Sequence, residues 1–312
     1  MEYRRLGKSG MQVSVTGLGC NNFGMRIDKD QTQVVVDKAI SLGITLFDTA
    51  DIYGATKSEE FLGEALGPRR KDVVVATKFG GPVGGSPNDK GGSRRHVIDA
   101  CEGSLRRLKT DWIDLYQYHF RDPFTPIEET LRALDDLVRA GKVRYIGSSN
   151  VTGWMIADDD WTARSHHTAT FVTVQNEYSL LNRGIEKDVA PACEKFGLGV
   201  LPYFPLASGL LTGKYQRGEK APEDSRLAAW GSRGERMLSD DNFNVIEKLE
   251  SFAKDRGKTM LDLAFGWLAS HNFVSSVIAG ATKPEQLEAN AKATEWKLTP
   301  EELNEVDKIA AS

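Results

Sequence analysis

The stretch ITLFDTADIYG, residues 44–54, places a carboxylate and a phenol just after a short apolar run. Asp48 follows Phe47 directly, and Tyr53 comes five residues after Asp48. Two further apolar runs end in a titratable side chain, since Lys78 follows VVVAT and His119 follows WIDLYQY. Phenol, imidazole, ammonium and carboxylate groups are the ones that donate, accept or stabilise protons, so these four residues are the first candidates for catalysis.

Eight short apolar runs recur along the chain, and segments with helical spacing lie between them. The runs are residues 13–19, 44–47, 73–77, 112–118, 143–147, 171–175, 198–203 and 274–280. Because they do not alternate with polar residues, they are typical of strands buried on both faces of a parallel sheet. Eight such strands in 312 residues predict an α/β fold, a (β/α)8 TIM barrel that spans residues 1–312 as a single domain. A doubly wound open sheet is the alternative, but GLGCNNFG does not match the GxGxxG that it requires.

Two segments do not fit the alternation of strands and helices. Residues 1–12 form two short runs around Gly10 and predict a hairpin that closes the bottom of the barrel. Residues 206–241 are too long for an ordinary loop between a strand and a helix, so they predict a functional lid after strand seven.

The composition excludes several classes of protein. The net charge is −4 with both signs interspersed, which gives no support for binding to nucleic acid or to a membrane surface. The N-terminus lacks the apolar segment of a signal peptide, and no run approaches the roughly 20 apolar residues that cross a bilayer. The three cysteines, Cys20, Cys101 and Cys193, are far apart and show no metal-ligand spacing. We therefore expect a cytoplasmic protein without a disulfide or a bound metal.

Polar residues follow seven successive predicted strands, at the end of the barrel where active sites lie. Each one alone has a commoner explanation, such as a turn former for Asp48 or a solvated surface lysine for Lys78. The combination favours a functional site. The strand ends carry Asp48, Lys78, His119, Ser149 with Asn150, Gln175, Tyr203 and the loop GATKPEQLEAN.

The charges at these strand ends predict a proton-transfer site. A lysine at the mouth of an apolar barrel needs a partner, and Asp48 on the neighbouring strand can supply it. A tyrosine beside that lysine is expected to have a pKa below its ordinary value of about 10. Tyr53 could then donate or accept a proton near neutral pH, as the reduction of a carbonyl group requires. His119 could orient the substrate oxygen.

The chain resembles the aldo-keto reductases over nearly its whole length. The motifs that carry the resemblance are, in order, DTADIYG, VVVATKFG, YQYHFRDP, GSSN, TVQNEYSLLNR, PYFPLASGLLTGKY and IAGATKPEQLEAN. The resemblance implies an oxidoreductase that transfers hydride from a nicotinamide cofactor to an aldehyde or ketone, in a reversible reaction. It makes Tyr53 the general acid, Lys78 the residue that lowers its pKa, Asp48 the partner of Lys78, and His119 the residue that orients the carbonyl.

The same resemblance implies a set of cofactor-binding residues. Ser149, Asn150 and Gln175 would bind the nicotinamide carboxamide, and Tyr203 would stack on the nicotinamide ring. The other implied contacts are Phe204, Pro205, Leu206, Ser208, Lys214, Arg226, Gly280, Thr282, Lys283, Gln286 and Asn290.

Some positions depart from the family pattern. Phe204 stands where a small polar residue is common, and Gln286 stands where many NADPH-preferring members have an arginine. Lys283 and Arg226 are then the cations available for a 2′-phosphate. We expect NADPH as the cofactor, with NADH as the alternative. Expected substrate contacts are Phe23, Met25, Ile52, Phe79, Phe120, Trp154 and the segment 206–241.

Two other functions compete with carbonyl reduction. A Schiff-base aldolase could use Lys78, provided that this lysine is free of a carboxylate. A non-catalytic regulatory subunit of a membrane channel is the second alternative, because the same family also fills that role. Such a subunit is expected to carry a partner-binding N-terminal segment, whereas this chain begins almost directly at the barrel.

Overall fold

A computed structural model describes residues 1–222 and 225–311, and the side chains of residues 226 and 233 lie outside that description. Ten strands are present in the described part. They are β1 (Tyr3–Arg5), β2 (Gln12–Ser14), β3 (Thr16–Gly19), β4 (Leu46–Asp48), β5 (Val74–Phe79), β6 (Ile113–Tyr118), β7 (Val143–Ser149), β8 (Thr173–Gln175), β9 (Gly199–Val200) and β10 (Val277–Gly280). Each of the eight predicted runs overlaps one of the strands β3–β10, and the first run also contains the end of β2.

Helices alternate with the strands of the barrel. They are α1 (Lys29–Ser41), α2 (Lys57–Leu66), α3 (Arg94–Leu108), α4 (Ile127–Arg139), α5 (Gly153–Ser165), α6 (Val189–Phe196), α7 (Arg226–Ala229), α8 (Ser232–Met237), α9 (Asp240–Lys254), α10 (Met260–Ser270), α11 (Pro284–Ala293) and α12 (Pro300–Ala310). Helix α1 shows why such segments are helical, since Asp28 and Gln31 form a capping box and Val35, Val36 and Ala39 are buried on one face. Within the described residues, none of these helices is both long enough and apolar enough to traverse a bilayer.

The strands β3–β10 form one parallel sheet that closes into a barrel. Their order is β10-β3-β4-β5-β6-β7-β8-β9, so neighbours in sequence are neighbours in space. The sheet closes next to β9, where Val200 forms a parallel bridge with Val274. Two backbone hydrogen bonds complete the closure, from the Ile278 N–H to the Pro202 carbonyl (3.0 Å) and from the Ser275 N–H to the Val200 carbonyl (2.9 Å). The predicted (β/α)8 fold is confirmed.

A hairpin at the N-terminus fills the bottom of the barrel. The strands β1 and β2 pair antiparallel, with Arg4 opposite Val13. Leu6 and Val13 are fully buried and pack against side chains that point into the barrel from its strands. These side chains are Leu46, Ala76, Leu115, Leu201 and Ile278. The hairpin predicted from the sequence is therefore present, and its apolar side chains seal one end of the barrel.

The long segment after β9 is not one open loop. It contains a short 3₁₀ helix at Ala207–Thr212 and the helices α7 and α8. Phe204, Ala207 and Ser208 all have positive φ angles, of 53°, 44° and 60°, which are uncommon for residues other than glycine. Leu210 and Leu211 anchor the segment in the core. Its predicted action as a lid stays a prediction.

We predict that Leu6→Ala destabilises the fold by about 2–5 kcal/mol, because the substitution leaves a cavity where the hairpin packs into the barrel. Urea denaturation followed by circular dichroism measures this loss. Val34→Ala is the matched control, since Val34 is 53% exposed and its truncation should change the free energy of unfolding by less than about 0.5 kcal/mol. Equal losses in the two variants would contradict a packing role for Leu6.

Candidate active site

A buried ion pair lies at the carboxyl ends of β4 and β5. The Lys78 Nζ donates hydrogen bonds to Asp48 Oδ2 (2.6 Å) and to the backbone carbonyl of Thr49 (2.7 Å). Lys78 is fully buried and Asp48 is 3% exposed. Burial favours loss of the Lys78 charge, but Asp48 and Tyr53 outweigh it, so the pKa of Lys78 is raised above its ordinary value. Lys78 is therefore a stable cation, held by Asp48 as expected.

Two glutamines hold the other oxygen of the Asp48 carboxylate. Gln117 Nε2 and Gln175 Nε2 donate to Asp48 Oδ1 at 3.0 and 2.8 Å. Both side chains are buried. Sequence reasoning placed Gln175 in the site but missed Gln117, which lies within the apolar run of β6. The sequence did offer a signal for Gln117, because it is the single amide in a run that otherwise contains aromatic and aliphatic residues, apart from Asp114.

Tyr53 lies beside this ion pair, on the loop between β4 and α2. The Lys78 Nζ lies 5.0 Å from the centroid of the Tyr53 ring. The rings of Tyr53 and His119 meet edge to face, with centroids 5.8 Å apart. The fold thus brings together all four predicted catalytic side chains, from the ends of three neighbouring strands.

The expected lowering of the Tyr53 pKa is wrong. Burial raises the pKa of Tyr53 above its ordinary value, and the charge and hydrogen bond of Lys78 offset this only in part. The negative charge of Asp48 adds to the increase. Tyr53 is consequently a protonated phenol at neutral pH, in the form that can donate a proton.

His119 is a neutral imidazole in this site. Its pKa is lowered to about 3, first by burial and second by the nearby charge of Lys78. The ring stacks on Phe120, with centroids 4.0 Å apart, and its buried Nδ1 has no hydrogen-bond partner among the described residues. Asn150 Nδ2 donates to the His119 carbonyl at 3.0 Å, which fixes the backbone at this position.

A cavity of about 630 Å³ opens above the strand ends, a volume typical of sites for small ligands and cofactors. Tyr53, His119 and Phe120 line one part of it, whereas Lys78 does not line it. Of the predicted cofactor contacts, those on its wall are Ser149, Asn150, Gln175, Tyr203, Phe204, Pro205, Leu206, Ser208, Lys214, Gly280, Thr282, Gln286 and Asn290.

Two predicted cations are not part of the described wall. Lys283 is exposed beside Thr282, and it does not line the cavity. Arg226 begins α7, but its side chain lies outside the described residues. Their expected contacts with a phosphate group stay predictions.

Hydrogen bonds fix the part of the wall next to His119. The Tyr203 hydroxyl donates to Asn150 Oδ1 at 2.7 Å, which joins the ends of β7 and β9. Asn150 adopts a positive φ of 57°, and its N–H donates to the Gln175 carbonyl at 3.0 Å. Ser149 Oγ donates to the same carbonyl at 2.7 Å. The aromatic face of Tyr203 is thus held in place at the cavity wall.

The loop after β10 forms the far part of the cavity. The Gln286 Oε1 accepts hydrogen bonds from the Thr282 N–H (2.7 Å) and the Lys283 N–H (3.3 Å). Backbone N–H groups at the start of a helix, here α11, are favourable for anions. Asn290, on the same helix, is 5% exposed and reaches the cavity wall.

In the loop between β3 and α1, sequence reasoning expected Phe23 and Met25 at the site but missed the polar residues. Asn21, Asn22 and Arg26 from this loop line the cavity. The two asparagines of the segment GLGCNNFG were the available signal for these residues. Among the expected substrate contacts, Phe120 lines the cavity, whereas Phe23 and Phe79 are fully buried. Met25 and Trp154 are 65% and 63% exposed, and Ile52 is also absent from the described wall.

The residues of this cavity fit a nicotinamide dinucleotide. Tyr203 offers an aromatic face beside the amide and hydroxyl groups of Asn150 and Ser149, and the phenol of Tyr53 lines the same cavity. The wall also contains the Thr282 segment, whose N–H groups suit a phosphate, and the exposed Lys214. One cavity therefore combines groups for an amide, an aromatic ring and an anion.

Comparisons with known proteins agree with this geometry. The model of the Aldo/keto reductase family matches residues 16–311. A rice protein (Oryza sativa subsp. japonica) named probable voltage-gated potassium channel subunit beta is 37% identical over 322 residues, covering 100% of this chain and 97% of the rice protein. The uncharacterized oxidoreductase YrpG of Bacillus subtilis is 37% identical over 324 residues, covering 99% and 96% of the two chains. Probable aldo-keto reductase 1 of Glycine max is 39% identical over 309 residues, covering 97% and 87%.

The neutral state of His119 predicts a dependence of stability on pH. Its folded pKa of about 3 lies below the ordinary value of about 6.5, so the unfolded chain binds the proton first as the pH falls. The contribution of His119 to stability is therefore complete above pH 6.5 and is lost progressively toward pH 3. When the pH falls from 7 to 5, the free energy of unfolding of the wild type should decrease by about 2 kcal/mol more than that of His119→Gln.

Urea denaturation at both pH values measures this difference. His167→Gln is the control, because His167 is exposed on the surface and its replacement should leave the loss as in the wild type. The same loss in wild type and His119→Gln would show that His119 is not held neutral by burial.

Proposed function

The chain belongs to the aldo/keto reductase family, and on that basis we propose that it reduces an aldehyde or ketone to an alcohol with NADPH. The family match and the named relatives support an oxidoreductase in general. One observation supports the more specific proposal of carbonyl reduction. Asp48, Lys78, Tyr53 and His119 form a continuous group, and a neutral phenol and a neutral imidazole from it line one cavity.

Each residue of the group has a role that follows from its state. A bound nicotinamide supplies the hydride that reduces the carbonyl carbon. Tyr53, protonated at neutral pH, donates its proton to the carbonyl oxygen. Lys78 stabilises the phenolate that remains, because an ammonium group nearby favours the anion. Asp48 holds Lys78 in place.

His119 orients the substrate. A neutral imidazole donates a hydrogen bond from one of its two nitrogens, and the His119 ring lines the cavity beside Tyr53. A donor beside Tyr53 would direct the carbonyl oxygen toward the phenol and bind the negative charge that develops on it. Because His119 stays neutral through the physiological range, it does not compete with Tyr53 as a proton donor.

The residues that would hold the cofactor lie along the cavity. Ser149, Asn150 and Gln175 would bind the carboxamide, and the ring of Tyr203 would stack on the nicotinamide. Lys214 would bind the diphosphate, and the backbone near Thr282 would receive the phosphate of the adenosine part. The further expected contacts are Phe204, Pro205, Leu206, Ser208, Gly280, Gln286 and Asn290.

An aldolase mechanism at Lys78 is disfavoured. That alternative required a lysine without a carboxylate partner and with a free amine. Lys78 donates to Asp48 at 2.6 Å, and it is fully buried and outside the cavity wall. A cation with a raised pKa is not a nucleophile at neutral pH.

A second function, as the β subunit of a voltage-gated potassium channel, is favoured by the name of the rice relative. The match covers 97% of that relative, so an added N-terminal segment does not separate the two functions. Co-expression with a voltage-gated potassium channel, followed by purification through the channel, tests this function.

We predict that Tyr53→Phe lowers kcat for aldehyde reduction by about 100- to 10,000-fold, because the proton donor is lost. The dissociation constant for NADPH, measured by quenching of tryptophan fluorescence, should stay within about twofold of the wild type. The assay follows NADPH consumption at saturating aldehyde.

Tyr145→Phe is the matched control for that substitution. Tyr145 packs against the apolar cluster at the bottom of the barrel, far from the strand ends that carry Tyr53. This variant should keep the wild-type rate. A Tyr53→Phe variant with near-wild-type turnover would sink the assignment of Tyr53 as the proton donor.

We also predict that Lys283→Ala weakens NADPH binding about tenfold more than NADH binding, because only NADPH carries the 2′-phosphate. Titrations of both cofactors measure the two dissociation constants. Lys292→Ala, at an exposed position of the same helix α11, is the control and should change neither. An equal loss for both cofactors would place the 2′-phosphate contact elsewhere.

A further inference from the structure

The loop between β6 and α4 brings His119 and Phe120 to the cavity wall, but the next residue contacts α5 instead. The Arg121 Nη2 donates a hydrogen bond to Asp158 Oδ2 at 2.8 Å, and its Nη1 lies 3.0 Å from Asp159 Oδ1. The second contact is an ion pair without the alignment of a hydrogen bond. Arg121 is not part of the described cavity wall, and none of these three charges has a role in the proposed chemistry.

The Asp159 carboxylate makes this contact a strong constraint on the loop. Asp159 is 3% exposed, and among the described residues Arg121 is the one cation that forms an ion pair with it. A buried charge without a partner is costly, so the need to pair these two groups holds the loop against the helix. Burial raises the pKa of Asp159 to about 7, against the opposing effect of Arg121, so the carboxylate is mostly ionised at pH 8.

Helix α5 adds an aromatic contact to the same guanidinium group. The Arg121 Cζ lies 5.6 Å from the centroid of the Trp154 ring, a distance at which a cation is attracted to an aromatic face. Trp154 and Asp158 are four residues apart in α5, so they share one face of the helix. Trp154, Asp158 and Asp159, here named the α5 cluster, thus all contact Arg121.

A second connection holds the same loop to the segment before α5. Asn150 Nδ2 donates to the His119 carbonyl at 3.0 Å, and Asn150 Oδ1 accepts from the Tyr203 hydroxyl at 2.7 Å. Phe120 lies between this connection and the one made by Arg121. It is 47% exposed and stacks on the His119 ring, so its orientation depends on its neighbours in the chain rather than on core packing.

The remainder of the loop is held by bonds of its own. The Asp122 N–H donates to the Tyr118 hydroxyl at 2.6 Å, and Asp122 Oδ1 accepts from the Phe124 N–H at 2.9 Å. These bonds close a turn after Arg121. The contacts of Arg121 with the α5 cluster therefore fix the segment between the His119 backbone and this turn.

We propose that Arg121 is a positioning residue of the reductase site. Its contacts with the α5 cluster hold His119 and Phe120 in the orientation that directs a substrate carbonyl toward Tyr53. The inference rests on the proposed function, and it adds a residue that touches neither the substrate nor the cofactor. Because a displacement of about 1 Å at a reacting group can lower a rate about 100-fold, a link behind the cavity wall is sufficient to control turnover.

The test requires a variant that removes the link and leaves no buried charge. Arg121→Gln alone leaves the Asp159 carboxylate without a cation, whereas Arg121→Gln/Asp159→Asn, the linkless variant, removes both charges. The matched control is Arg164→Gln/Asp160→Asn, which removes another arginine–aspartate pair of α5 (Nε to Oδ2, 2.6 Å). The Arg164 side chain is 65% exposed and lies outside the described cavity wall. Thermal unfolding checks that each variant is folded.

Steady-state kinetics at pH 8, with benzaldehyde and propanal as substrates, give the first measurement. In the linkless variant, kcat/KM for benzaldehyde should fall about 10- to 100-fold, while the dissociation constant for NADPH stays within about twofold of the wild type. The KM of benzaldehyde should rise more than that of propanal, because only benzaldehyde has a ring that can pack on Phe120. Arg121→Lys keeps the charge but not the fork of donors, so it should retain part of the lost rate. The control variant should match the wild type.

Hydrogen exchange followed by mass spectrometry gives a second measurement, which does not depend on turnover. The backbone amides of residues 119–124 should exchange about tenfold faster in the linkless variant than in the wild type, because local opening of the loop becomes easier. The control variant should leave the exchange of this segment unchanged.

The two measurements separate failure of this inference from failure of the proposed function. Wild-type kinetics in the linkless variant, or an equal loss of activity in the control variant, would overturn the inference. A wild type that reduces neither aldehyde would mark a failure of the proposed function. Faster exchange in the linkless variant would then still support Arg121 as the residue that positions this loop, and equal exchange would refute it.

Discussion

The ion pair between Asp48 and Lys78 is the interaction on which the upper part of the barrel depends. Two buried charges are costly to desolvate, and removal of one partner from such a pair costs about 3–5 kcal/mol. Gln117 and Gln175 satisfy the remaining carboxylate oxygen, so the ends of β4, β5, β6 and β8 are joined through one carboxylate. Tyr53, the proposed proton donor, lies next to this network, with its ring 5.0 Å from the Lys78 Nζ. Stability and chemistry therefore share the same few hydrogen bonds.

The interior of the barrel is divided into an apolar layer and a polar layer by the two-residue repeat of its strands. Leu46 and Asp48 are two residues apart on β4, and Leu115 and Gln117 are two residues apart on β6. Side chains at this spacing point to the same face of a strand. The first member of each pair packs on the N-terminal hairpin, and the second contributes to the Asp48 network. The register of the sheet thus sets the depth at which the core ends and the polar site begins.

Much of this could be predicted from the sequence, because the information was local. Apolar runs identified the strands, and the residues directly after them identified Asp48, Lys78 and His119. The direction of the Tyr53 pKa could not be predicted, since it depends on the balance between burial and the charge of Lys78. The cavity positions of Asn22 and Arg26 depend on how their loop packs against neighbouring segments. These properties arise from tertiary contacts that no local pattern encodes.

The hydrogen bonds of Gln286 have a consequence for the energetics of the loop after β10. Its amide oxygen already accepts hydrogen bonds from the Thr282 and Lys283 N–H groups, so it occupies the donors that an anion would otherwise use. The loop consequently keeps its shape without a ligand, and an incoming phosphate need not order it. A phosphate bound as proposed would displace a neutral amide, which is the weaker acceptor of the two. Binding at this loop is therefore an exchange of acceptors within a preorganised structure.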